Sequence, residues 1–225
     1  RAISSSHIIL GGEHLKPYIR LLRPKHALKN LLIFLPLVFG GALFDAPVLQ
    51  SAVCGFVAFC CLASVVYIIN DICDAPRDRL HPTKKSRPIA SGAVSPMQAA
   101  AEAAVLLAVM LLLSFWCNFP LESYLCLAIY FAVNIGYSLG LKNVPILDIA
   151  LLVSGFLLRV LFGAAVTGIA ISDWLYLTVI AMSFYLGLGK RRGELARQKG
   201  DTRKVLKYYT YDYLDKYMQI SLGLS

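Results

Sequence analysis

The sequence predicts an all-α fold, a polytopic transmembrane helical bundle with six spans and the start of a seventh. Three observations carry that expectation. Hydrophobic residues make up 58% of the 225-residue chain and charged residues only 16%, against about 25% charged in an ordinary soluble domain. Apolar runs close to the roughly 20 residues needed to cross a bilayer recur along the whole length. The Lys and Arg residues also alternate with loops that hold none, as in proteins whose cytoplasmic loops are the basic ones.

The spans are expected at about 26–44, 49–70, 97–117, 121–140, 146–168 and 173–190, with a seventh beginning near 215. Pro24 suits a first helical turn because it lacks only an orphan donor. Asp45-Ala46-Pro47 makes a tight connection after the first span. Ser95-Pro96 reads as an N-cap followed by proline at the first helical position. Asn118 to Pro120 and Gly168 to Asp173 are short turns. The whole chain, 1–225, reads as one membrane-embedded domain. Its first 20 residues are expected to be flexible or interfacial, and the apolar stretch from Met218 to Leu224 is expected to open a further span of a longer chain.

Charge placement orients the bundle. Of the 22 Lys and Arg residues, 21 fall in the N-terminal segment, the loop 71–95, the loop holding Lys142, and the segment 190–216; Arg159 lies inside a span. Loops 45–48, 118–120 and 169–172 hold none. The N-terminus is therefore expected on the cytoplasmic side, and an ionic, water-soluble substrate is expected to enter there. The same pattern explains the net charge of +9 without nucleic acid. The six cysteines form no CxxC pair, and five lie in or beside apolar spans, where cysteine behaves as a small hydrophobe. The sequence carries no signal for oligomeric state.

The second span ends in Asn70-Asp71-Ile72-Cys73-Asp74-Ala75-Pro76-Arg77-Asp78. The carboxylates Asp71, Asp74 and Asp78 are spaced i, i+3, i+7, which on a helix gathers them within an arc of about 60°. Three converging carboxylates repel one another unless a cation lies among them. Oxygen-only ligands favour magnesium, completed by water and substrate phosphates. Pro76 removes the bond to the Ile72 carbonyl, which allows Asp78 to lie in a loop just past the helix end. A solvated helix end neutralised by Arg77 and Arg79 would account for Asp78. It accounts poorly for Asp71 and Asp74 at the membrane boundary, where ionised groups are costly.

Downstream runs His81-Pro82-Thr83-Lys84-Lys85-Ser86-Arg87-Pro88-Ile89-Ala90-Ser91-Gly92. From Asn70 to Gly92 the chain resembles the first signature of the UbiA superfamily of membrane-embedded transferases, NDxxDxxxD followed by HPxKxxRPxxSG. Leu22 to Asn30, Ile149 to Ala165, Lys190 to Leu195, Tyr209-Thr210 and Leu214-Asp215 resemble the branch that includes decaprenyl-phosphate phosphoribosyltransferases. The resemblance implies a magnesium-dependent transfer of a 5-phosphoribosyl group from phosphoribosyl diphosphate to a polyprenyl phosphate at the cell inner membrane. The alternative within the same fold is prenyl transfer from a polyprenyl diphosphate to a small acceptor. A transporter, the reading from another class, fits poorly, because the carboxylates gather at one membrane face and no inverted repeat is seen.

A second cluster, Tyr137, Lys142 and Asp148, follows the fourth span. It departs from the aromatic-prenylating members, since no second carboxylate lies near Asp148. Arg159, eleven residues after Asp148, shares its helix face. It is expected either to bind a substrate phosphate or to pair with Asp148 or another span. The resemblance assigns Asp71, Asp74 and Asp78 to magnesium, with Asn70 orienting the first turn. Lys84 and Arg87 would cover donor phosphates, and Tyr137, Lys142, Asp148 and Arg159 would serve the other half of the bundle. Lys25 and Lys29, at i, i+4, would hold the acceptor phosphate or simply snorkel to the interface. Lys190 to Arg192 read as topology and anionic-lipid contact.

Overall fold

The computed structural model describes residues 15–196 and 204–224. His7 and His14, and the basic residues Arg1, Arg197, Lys199 and Arg203 counted above, lie outside the described residues, as does most of the expected N-terminal segment. All regular secondary structure among the described residues is helical, without strands. Among the described residues, three helices are long and apolar enough to cross a membrane: Ala46–Leu80 (α1), Pro96–Trp116 (α2) and Leu147–Thr167 (α4). Between the last two comes Leu121–Leu139 (α3), and after them Asp173–Ala196 (α5) and Tyr211–Gly223 (α6). Two compact units emerge. The first holds the chain up to Leu31 with Phe56–Asn118, and the second holds Leu32–Gly55 with Phe119–Ser225.

In the first unit, residues 15–21 form a helix whose Leu21 is buried with Ile68, Ala75, Ile89, Val94 and Ala99. Ile68, Ile72 and Ala75 recur at helical spacing on α1, so one stripe of α1 faces this core. Asp71 and Asp78 lie on the neighbouring stripe, which explains their burial. α1 runs unbroken through Pro76 to Leu80, so Asp78 is helical and not in a following loop. Ala75 and Asp78, buried on either side of Pro76, hold the last turn in register, which outweighs the one lost backbone bond. α2 starts as its sequence predicts. The Ser95 N–H donates to the Gln98 side chain (2.9 Å) and Gln98 N–H to Ser95 Oγ (3.2 Å), a complete capping box ahead of Pro96.

The first expected span is not one α-helix. Pro24–Ala27 makes an α-turn, Leu28–Phe34 is a 3₁₀-helix, and Leu35–Phe39 returns to α. Pro36 has no N–H for the Leu32 carbonyl. Within the second unit, Ile33 presses its backbone onto Gly163, where a Cβ would come 2.1 Å from the Ile33 carbonyl oxygen. Only glycine admits that approach.

In the second unit α3, α4, α5 and α6 pack in sequence, each on the next, and Leu35–Phe39 packs on α4. The chain after α5 folds back through the 3₁₀-helix Lys204–Tyr208. Val205, Leu206, Tyr209 and Leu214 are buried against Ile149 and Val153 of α4 and Leu188 of α5. Thr210 caps α6 by accepting the Tyr213 N–H at 3.2 Å.

Candidate active site

In the first unit Asp71 and Asp78 are each only 3% exposed and converge on one atom. Arg87 Nη1 donates to Asp71 Oδ1 at 3.0 Å and to Asp78 Oδ2 at 2.6 Å. Arg23 Nη2 donates to the same Asp71 oxygen at 2.5 Å. Seven residues return to within about 20° on a helix, whereas Asp74 stands about 60° off, which is why two of the three expected carboxylates meet. Asp74 is half-buried. Among the described residues no three His, Cys, Asp or Glu side chains gather as a metal cluster; the convergence is of two carboxylates on an arginine.

Local structure places each arginine. The turn Lys84–Ser86 ends with the Arg87 N–H bonded to the Lys84 carbonyl at 2.9 Å, ahead of buried Pro88 and Ile89. Arg23 takes a left-handed conformation (φ 50°, ψ 57°), uncommon for a residue with a side chain, and precedes Pro24, which disfavours helical geometry there. Ser64 Oγ donates to the Leu22 carbonyl at 3.0 Å, pinning the chain next to it. The Arg23 guanidinium lies 4.8 Å from the centre of the Tyr67 ring, a cation–π distance. A cavity of roughly 480 Å³ opens here, walled by Ile19, Arg20, Arg23, Lys25, Asp71 and Arg87 among others. Lys84 and Lys29 are exposed and Asn70 is half-buried. Lys25 and Lys29 flank the change from α to 3₁₀ at Leu28, so the shared α-helical face expected for them is not kept.

In the second unit Asp148, in the first turn of α4, is fully buried. Arg191 Nε donates to Asp148 Oδ2 at 2.5 Å, and Tyr209 Oη donates to Asp148 Oδ1 at 2.6 Å. Arg191 Nη1 also donates to Glu194 at 2.5 Å, and Tyr137 lies against the same guanidinium. The Ile146 N–H donates to Tyr209 Oη at 2.8 Å. Burial, and then the bond to Asp148, push the Tyr209 phenol above its ordinary range, so it stays a protonated donor. Half-buried Lys142 lies on the adjoining turn Leu141–Asn143.

Arg159 does not supply the expected partner of Asp148. Its guanidinium donates to the Gly155 carbonyl (2.5 Å) and to Tyr130 Oη (3.1 Å). The cation that answers Asp148 is Arg191, which the charge pattern had assigned to lipid contact. Phe184, Leu188, Arg191 and Leu195 recur at helical spacing, and the three apolar members pack in one core. That periodicity singles out Arg191 from Lys190 and Arg192 as the inward residue. Arg192 instead pairs with Asp215. Arg23 belongs to the basic N-terminal count and to the Leu22 to Asn30 resemblance, but neither assigns it a site role; its position before a proline at a span entrance is the available signal.

Apolar helices with buried carboxylates and arginines gathered at their ends define an integral membrane protein with a polar, ionic site. Residues 32–205 match the family model for the UbiA prenyltransferase family, and the chain belongs to that family. It is 38% identical over 201 residues to the decaprenyl-phosphate phosphoribosyltransferase of Corynebacterium glutamicum, covering 87% of this chain and 60% of that protein. It is 38% identical over 203 residues to the decaprenyl-phosphate phosphoribosyltransferase of Mycolicibacterium smegmatis, covering 87% of this chain and 63% of the relative. The chain thus spans a little under two thirds of the length of these relatives. A UbiA homologue from Archaeoglobus fulgidus, solved with DMAPP and Mg2+, shares the fold with a TM-score of 0.71 at 19% identity, over 92% of this chain and 73% of that one.

Proposed function

We propose that the protein transfers a 5-phosphoribosyl group from phosphoribosyl diphosphate to a polyprenyl phosphate, releasing diphosphate. It would do so from the cytoplasmic side of the cell inner membrane. The observation that carries this reading is the convergence of Asp71 and Asp78 on one cationic nitrogen. The likeness to phosphoribosyltransferases over most of the chain supports it.

The donor set fits magnesium. Two carboxylate oxygens already lie 3.0 and 2.6 Å from one positive centre. Magnesium takes oxygens at about 2.0–2.1 Å and leaves positions for water and substrate phosphate. Asp71 and Asp78, with Asp74 one turn between them, would hold it, and bound there it would neutralise charge on the leaving diphosphate. The chain's own residues supply the rest. Arg87, turned from carboxylate to phosphate, would stabilise the same developing charge, with Lys84 from the exposed turn. Lys142 and Tyr137 of the second unit are proposed as phosphate-binding residues.

In the reaction an acceptor phosphate oxygen bonds to C1 of the ribose. The bond from C1 to the diphosphate oxygen breaks, and its electron pair leaves with diphosphate. The attacking phosphate is anionic at neutral pH and needs orientation more than a base, in keeping with a site built of arginines. The test offers the full-length protein, in detergent with magnesium, phosphoribosyl diphosphate plus polyprenyl phosphate, and separately polyprenyl diphosphate plus an aromatic acid. A lipid heavier by one phosphoribosyl unit, lost in Asp71→Ala, is expected. A prenylated acid without that lipid would move the activity to prenyl transfer.

A further inference from the structure

Within the first unit a second cavity, of roughly 220 Å³, adjoins the ionic one, and both are walled by Arg23, Pro24 and His26. The two differ in chemistry. The ionic cavity carries Arg20, Arg23, Lys25 and Arg87 against the single carboxylate of Asp71, a marked excess of positive charge. The other is walled chiefly by apolar groups, among them Phe56, Val57, Cys60, Cys61, Ala63 and Leu106. A dry apolar cavity of about 150 Å³ holds one benzene molecule, so this one has room for roughly one or two five-carbon units. Val57 in its wall is 41% exposed, on the apolar surface of α1, where a longer chain would continue into lipid.

Arg23 stands where the two cavities meet. Its left-handed backbone before Pro24 is a conformation that persists only where surroundings enforce it. Here Ser64, Tyr67 and Asp71 do so. The arrangement fits a molecule with an anionic head and a branched apolar tail. It fits poorly a wholly hydrophilic donor, which would leave the apolar cavity in contact with nothing.

We propose that these joined cavities seat the acceptor, with the lipid phosphate bound by Arg20, Arg23 and Lys25 and the first isoprene units between Phe56, Cys61 and Leu106. The assignment rests on the phosphoribosyl-transfer reading for the identity of the lipid. It replaces Lys29, which is not in the wall of the ionic cavity, with two arginines. It also separates the acceptor's ligands from Asp78 and Lys84, left to the donor.

Two measurements test it. Steady-state kinetics of Arg20→Gln, which loses one charge-assisted contact, and of Ala63→Leu, which fills the apolar cavity, are expected to raise KM for polyprenyl phosphate by about 10- to 100-fold and to leave KM for phosphoribosyl diphosphate nearly unchanged. A rise in the donor KM alone would overturn the assignment. To keep the test independent of how either variant folds, wild-type protein is photolysed with a polyprenyl phosphate bearing a diazirine on its first isoprene unit. Label on the peptide holding Phe56 to Tyr67, competed by unlabelled polyprenyl phosphate and not by inorganic phosphate, supports the seat. Label elsewhere refutes it. Labelling needs no turnover, so its failure is distinct from failure of the proposed reaction, which the product assay reports.

Discussion

Tyr209 uses one oxygen twice: it accepts the Ile146 N–H at 2.8 Å and donates to Asp148 at 2.6 Å. Ile146 has φ 67°, a conformation that costs a β-branched residue energy. A single phenol thus holds a strained residue to the start of α4, two residues from its buried carboxylate.

Tyr209→Phe is therefore expected to destabilise the protein by about 1–3 kcal/mol, the cost of leaving buried polar groups unsatisfied. Thermal unfolding in detergent measures it. The folded phenol is shifted upward, so its contribution is fully present below the ordinary phenol value and is lost only as pH rises through the raised one. The difference from wild type should be the same at about pH 6 and about pH 8.

Arg191→Met leaves Asp148 buried without its cation, at a cost of about 3–5 kcal/mol. Arg191→Met combined with Asp148→Leu should recover much of that loss, because the charge then left alone, Glu194, is partly exposed and not buried. Arg191→Lys should fail to restore stability, since the guanidinium reaches Asp148 through Nε and Glu194 through Nη1 at once, a fork that an ammonium lacks. Unfolding midpoints of the three variants decide the matter.

Asp71→Asn and Asp78→Asn are each expected to lower turnover by about 100-fold or more, the scale of losing one preorganised charged partner, and to raise the magnesium concentration for half-maximal activity. Asp74→Asn, off the convergent stripe, should do so less. Equal effects at all three positions would show that Asp74 joins the other two as an equal ligand.

Gly163→Ala places a methyl against the Ile33 carbonyl. Overpacking of that kind costs about 1–3 kcal/mol, and a lowered unfolding midpoint is the expected result.

Much of this was legible in the sequence. Asp71 and Asp78 share a stripe by simple arithmetic, Ser95-Pro96 specified its cap, and the run from Asn70 to Gly92 pointed to the family. What escaped was partnership. Counting Lys and Arg by side treats each as equivalent, so neither Arg23 nor Arg191 stood out from its basic neighbours. Choosing between them needs the packing stripe of α5 or the backbone turn before Pro24. Arg159 and Asp148 share a face of α4, a pattern that leaves a substrate phosphate, Asp148 and another span all open as partners of Arg159. The structure satisfies each across helices instead, Arg159 with Tyr130 and Asp148 with Arg191. At Ile33 the chain lies against Gly163, more than a hundred residues away in sequence, a close approach that no local pattern encodes.

The sharing of Arg87 has an electrical consequence. Asp71 and Asp78 bring two negative charges, and Arg23 and Arg87 bring two positive ones, so the cluster is neutral as it stands. A neutral cluster tolerates a membrane boundary far better than bare carboxylates do. Ion binding there is then an exchange of partners and not the filling of a charged hole. Its sensitivity to ionic strength should be modest, well below what the net charge of +9 would suggest, because paired and partly buried charges are screened least.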